Sequence, residues 1–125
     1  RAAPAAAHPD WRLRAAAWAV LAPNPHNRQP WLIELAGPGE VLLRCDLGRR
    51  LPATDPFDRQ ITIGLGCFAE LFRMAAAAEG IALAIEPFPR GEPGPRLDAR
   101  PVARLRRLPG AAAPDPLFAQ AAARR

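Results

Sequence analysis

The chain has 125 residues, half of them apolar, and a formal net charge of +5 in which every basic residue is arginine. That length suits one small domain, and the apolar half supports a core, which excludes disorder of the whole chain. The 17 basic residues lie scattered among 12 acidic ones, without the clustering and interleaved aromatics of a nucleic-acid binder, so no nucleic-acid partner is expected.

Residues 1–9 are rich in Ala and Pro and read as a flexible lead-in. Asp10 is placed to cap a helix in which Trp11, Ala15, Trp18 and Ala22 share one face. Pro23, Pro25 and Pro30 then forbid helix, because proline lacks an N–H and pushes its predecessor to extended geometry. Trp31 to Ala36 reads as a strand, Gly37-Pro38-Gly39 as a turn, and Glu40 to Asp46 as a second strand antiparallel to the first. A loop over 47–57 follows, with Asp55 or Asp58 as the cap of the next helix.

That helix, about Arg59 to Gly80, is the longest and most apolar element. Arg59, Glu70 and Arg73 share one sector, Glu70 and Arg73 at pairing distance. The remaining circumference is apolar, so the helix must be buried on most sides. Gly64 and Gly66 weaken its first turns and point to close approach by another backbone or a cofactor, while Gly80 is a natural stop. A third strand, 81–87, a Pro/Gly-rich linker, 87–95, and a fourth strand, about Arg100 to Leu108, come next. Asp115 caps a final helix, with Pro116 at its first position, through Ala123. The order predicts an α+β fold with an antiparallel or mixed sheet.

Chemistry-bearing residues are few. Cys45 and Cys67 lack metal spacing and read as small buried hydrophobes, so no metal site is expected. With no serine in the chain, a Ser-His-Asp set is impossible, and Gly64-x-Gly66 is no phosphate loop. No run of 18 or more apolar residues marks a membrane span. The polar loop from Pro23 to Pro30 remains. Its residue types suit a proline-stiffened connector with turn-forming amides as well as they suit a binding loop. His26 within it is not assigned as an acid, and no catalytic residue is singled out. A surface of this kind fits an enzyme whose reactive chemistry belongs to a cofactor.

The order of residues in that loop goes further. Pro23-Asn24-Pro25-His26-Asn27-Arg28-Gln29-Pro30-Trp31 resembles the P-S-x-x-N-x-Q-P-W signature of the FMN-dependent nitroreductase family. Pro23, Asn27, Gln29, Pro30 and Trp31 match, and Asn24 stands where serine is usual. The stretch from Gly66 to Gly80 is similar to the family's long central helix, and the resemblance covers roughly residues 11–86. It implies a nitroreductase-like sheet packed on a long buried central helix, as half of a two-lobed or dimeric assembly. It implies FMN as cofactor, held by Pro23, Asn24, Pro25, Asn27 and Gln29, with NAD(P)H as electron donor and a small molecule as acceptor.

Two features of the family are missing: an arginine-rich phosphate signature before the first helix, and the C-terminal half. Both resemble the fused-half (Acg-like) branch, where one chain carries two such halves and the second opens on an arginine signature. Arg124-Arg125 stands where that signature would begin. The expectation is that residues 10–125 form the first half domain of a longer protein, paired with a second half in the same chain or in a homodimer. Two alternatives stay open: a flavin-sequestering protein of the same fold without efficient turnover, and a non-enzymatic interaction domain. Localisation, cytoplasmic or exported, is left open.

Overall fold

A computed structural model describes residues 8–123, apart from the side chain of Ala122. Residues 1–7 of the expected lead-in and the Arg124-Arg125 pair lie outside the described residues. The elements are α1 (Trp11–Ala19), a 3-10 turn (Pro25–Asn27), β1 (Trp31–Ala36), β2 (Glu40–Cys45), α2 (Arg59–Ala78), β3 (Ile81–Pro87), β4 (Ala103–Ala111) and α3 (Phe118–Ala123). The four strands form one sheet in the order β1-β2-β4-β3, every pair antiparallel. The fold is therefore α+β, a four-stranded antiparallel sheet with a long central helix, as the nitroreductase resemblance implies.

Alternation along β2 sends Val41, Leu43 and Cys45 to one face, where all three are buried with Leu105 of β4. Across that face lies α2, burying Ile61, Leu65, Phe68 and Phe72 almost completely. Trp31 stacks on Phe68 with ring centroids 4.9 Å apart, and Trp11 meets Phe72 edge-on at 6.4 Å. Ala15 and Ala19 let α1 lie close against α2, so the two tryptophans of α1 are core anchors. By length and composition alone α2 could cross a bilayer, contrary to the expectation from apolar runs. In the fold it is the core helix, with most of its apolar length buried against the sheet and α1. Cys45 is buried, and burial, reinforced by the carboxylate of Asp58, pushes its thiol up to about 11.

Several boundaries differ from the expectation. α1 ends at Ala19 rather than Ala22, and residues 20–22 tighten into turns closed by Leu21 N–H to Trp18 C=O at 3.0 Å and Ala22 N–H to Ala19 C=O at 2.9 Å. Pro23 denies Ala22 helical geometry, and the last turn narrows before it. β4 begins at Ala103, three residues late, because Pro101 has no N–H to give the ladder. It also runs on through Pro109. Beyond Arg106 its β2 neighbour has ended, so that proline removes no rung on the β2 side. As expected, Gly80 follows the end of α2 at φ +80°, and Glu70 pairs with Arg73.

The two aspartates before α2 divide the expected capping role. Asp55 accepts hydrogen bonds from the backbone N–H of Gln60 (3.2 Å) and Ile61 (3.0 Å), so its side chain caps the helix from five and six residues away. Asp58 occupies the N-cap position in left-handed geometry, φ 59°, and its side chain makes no capping bond. Its fully buried carboxylate instead accepts from Leu97 N–H at 2.9 Å and lies 3.6 Å from the Arg50 guanidinium. Asp55→Ala should therefore lower unfolding free energy by about 0.5–2 kcal/mol, the usual value of a helix cap. Urea denaturation measures it, and an unchanged midpoint and slope would show that the cap is not made.

Candidate functional site

The loop between α1 and β1 is held by its own amide. Asn24 accepts from Gln29 N–H through Oδ1 at 2.7 Å and donates from Nδ2 to Ala22 C=O at 3.1 Å, spanning the segment end to end. Inside that brace His26, Asn27 and Gln29 all sit at φ near +50°, a region non-glycine residues enter rarely, with asparagine among the most tolerant. Arg28 fastens the loop from outside. It donates to the carbonyls of Arg49 (3.2 Å) and Gly48 (3.4 Å), and Arg49 returns a bond to Arg28 C=O at 3.1 Å.

The loop rests on α2 at Gly64. A Cβ there would lie 3.2 Å from Asn24 Cβ and 3.4 Å from both Asn24 Cα and Pro25 Cδ. The close approach read from the two glycines is thus made at Gly64 by the loop itself. Gly66 differs, since a Cβ there would meet nothing within 4 Å. It borders an open, almost wholly apolar cavity of about 430 Å³ between residues 21–23, α2 and α3, walled by Leu21, Pro23, Ile63, Cys67, Leu71 and Met74, with Glu70 at its edge. Cys67 is half-buried there rather than enclosed in the core.

Of the five residues expected to hold a cofactor, only Pro23 lines this cavity. Pro25 packs beside Gly64, and the amide of Asn24 is committed to the loop brace. Asn27 and Gln29 are exposed, and their side-chain amides make no hydrogen bond among the described residues. The cavity wall from α2 was not foreseen as a site, although Gly66 marked it. Arg28 was also missed, because its partners are main-chain carbonyls about twenty residues away. Among the described residues no cluster of His, Cys, Asp or Glu could hold a metal ion.

No family model matches the chain. Over 71 residues it is 41% identical to a Mycobacterium tuberculosis protein named Putative NAD(P)H nitroreductase acg, which is found in two strains. Over those residues the chain is similar to a protein named as a nitroreductase. The match takes in 57% of this chain and 21% of that protein, so the chain spans about a fifth of its relative's length.

The two glycines should answer differently to the same substitution. Gly66→Ala should raise stability by about 0.5–1 kcal/mol, the helix-propensity gain with nothing to collide against. Gly64→Ala should lose that gain, because Asn24 must move by some tenths of an ångström. Equal stabilisation of both in urea melts would refute the seating of the loop on Gly64.

Proposed function

We propose that this chain is the flavin-binding half of an FMN-dependent NAD(P)H oxidoreductase of the nitroreductase type, acting on a small electron acceptor. The observation that carries the reading is the seating of the nitroreductase-like loop beside an open apolar cavity, at the one stretch of α2 where glycines clear the surface. A flat, largely apolar ring fits such walls. Pro23 and Gly66 offer surface to its face, and the exposed amides of Asn27 and Gln29 offer hydrogen bonds to its polar edge or ribityl chain. Asn24 and Pro25 would serve by fixing the loop. Bound FMN would supply the hydride chemistry, leaving position and water exclusion to the protein.

The phosphate is not provided for in the same place by the described residues, because no arginine among them lines the cavity. Arginine forks suit phosphate, so the reading requires a second nitroreductase-like half, in the same polypeptide or in a homodimer, to bring them. The outer side of α2 supports this, since Ile63 is 60% exposed there and Gly66 beside it is open. Exposed apolar surface of this kind marks an interface when it is contiguous. The near absence of acid–base groups in the cavity also suits a protein that binds flavin without turning it over. Flavin titration followed by NAD(P)H oxidation on the full-length protein separates the two, because the sequestering form binds and does not oxidise.

Asn27→Ala should weaken flavin binding by about 1–3 kcal/mol if it leaves a buried polar partner unpaired. Unchanged affinity counts against the loop assignment. Sedimentation of the 125-residue chain with and without FMN tests the second half. A compact monomer that binds FMN tightly by itself would show that no second half is needed.

A further inference from the structure

A groove of about 390 Å³ runs between the start of α2 and the segment that leads from β3 to β4. Ile63 is the ridge dividing it from the cavity described above, since it lines both. One wall carries Phe57 and Arg59, and the other carries Phe88, Glu92 and Arg96. Phe57 is 60% exposed, as is Ile63, so the groove presents apolar surface to solvent on the α2 side.

The two walls are joined by a buried hydrogen bond. Asp58 immediately precedes Arg59, and Leu97 immediately follows Arg96. The bond from Leu97 N–H to Asp58 Oδ2, 2.9 Å long, therefore ties together the two backbone segments that carry these arginines. Arg50 strengthens the join by donating to Leu97 C=O at 3.3 Å. The far wall is stiffened by Arg100, whose guanidinium donates to the carbonyls of Arg90 and Glu92. The groove is thus formed in advance of any ligand, which lowers the ordering cost of binding.

Arg59 and Arg96 are both exposed, and among the described residues neither makes an ion pair or a side-chain hydrogen bond. By contrast, Arg50 and Arg100 close by are occupied with backbone carbonyls. Arg90 and Arg106 are also unpaired, and neither lines the groove. Two exposed guanidinium groups without partners on one lining leave charge-assisted hydrogen-bond donors free for an anion. Among the described residues Glu92 is the one acid of the lining, so two cations and one anion leave a net charge of +1, which matches a single carboxylate.

We propose that this groove binds a small aromatic carboxylate, its ring against Phe57 and Phe88 and its carboxylate on Arg59 and Arg96. The volume lies within the range of small-molecule sites. The inference does not depend on flavin, and its test uses none.

The probe is 2-naphthoate, titrated calorimetrically into the full-length protein beside the neutral 2-naphthamide of the same shape. Naphthoate should bind about tenfold or more tighter, the usual gain from hydrogen bonds to a charged group. The double variant Arg59→Gln/Arg96→Gln should abolish that preference and leave naphthamide binding unchanged. Glu92→Gln should tighten naphthoate several-fold, by removing the opposing charge. Both arginines are exposed, so circular dichroism melts of the double variant should match the parent. Equal binding of the two probes, a preference that survives the double variant, or no binding of naphthoate at millimolar concentration would each overturn the proposal.

Discussion

The contact at Gly64 is the constraint on which the rest of the site depends. A loop with three residues in left-handed geometry cannot hold its shape by local preference alone. It needs a surface against which the shape is enforced. Gly64 provides that surface by removing a side chain where Asn24 and Pro25 press in. The same missing side chain brings the loop to the axis of α2, and only then do Pro23 and Gly66 border one cavity. A helix already made of strong formers would have been more stable in isolation. The glycine gives up helix propensity in return for a contact between elements.

The buried carboxylate of Asp58 has a comparable part at the start of the helix. One of its oxygens is bonded to Leu97 N–H and lies near Arg50, and the other has no hydrogen-bond partner among the described residues. A charge so deeply placed costs desolvation, which its two partners must offset. What it secures is the position of the β3–β4 connection, fifteen residues of proline- and glycine-rich chain that have little secondary structure to order them. On the opposite face of the sheet the polar groups are arranged differently. Leu42 is buried there between the register positions of Glu34 and Arg104, amid ion pairs of Arg44 with Glu34 and of Arg104 with Glu86. Those pairs are partly exposed, and pairs of that kind contribute little each. Their value is to keep the surroundings of Leu42 polar on that face, where Leu32 is also exposed.

Much of this architecture was legible in the chain. Periodicity found both larger helices and all four strands, because Trp11, Ala15 and Trp18 recur at helical spacing and Val41, Leu43 and Cys45 at strand spacing. The prolines fixed the loop. The side-chain cap at Asp10 could be read because its partner lies two residues away, whereas the last helix starts at Phe118, so that Asp115 holds the turn over Pro116 and Leu117 instead of capping a helix that opens on Pro116. Asp55 and Asp58 could not be told apart, since that depended on a left-handed φ at Asp58 and on Leu97, thirty-nine residues later. The start of β4 was misplaced because the pattern of Val102, Arg104 and Arg106 continues back across Pro101, where the ladder cannot. At the site, residue order indicated the loop, and Gly64 and Gly66 looked equivalent. Only their neighbours distinguish a glycine that admits a backbone from one that leaves space.

The reciprocal bonds between Arg28 and the 48–49 segment have a consequence for how this protein tolerates change. Both guanidinium groups read main-chain oxygens, and a carbonyl is present whatever side chain stands beside it. The identity of residue 48 can therefore drift without releasing the loop, so long as the turn that begins at Asp46 keeps its path. A single inserted or deleted residue in that turn would displace both carbonyls at once. Sequence comparison in this region should then show variable letters at constant spacing, and indels there should be far rarer than substitutions.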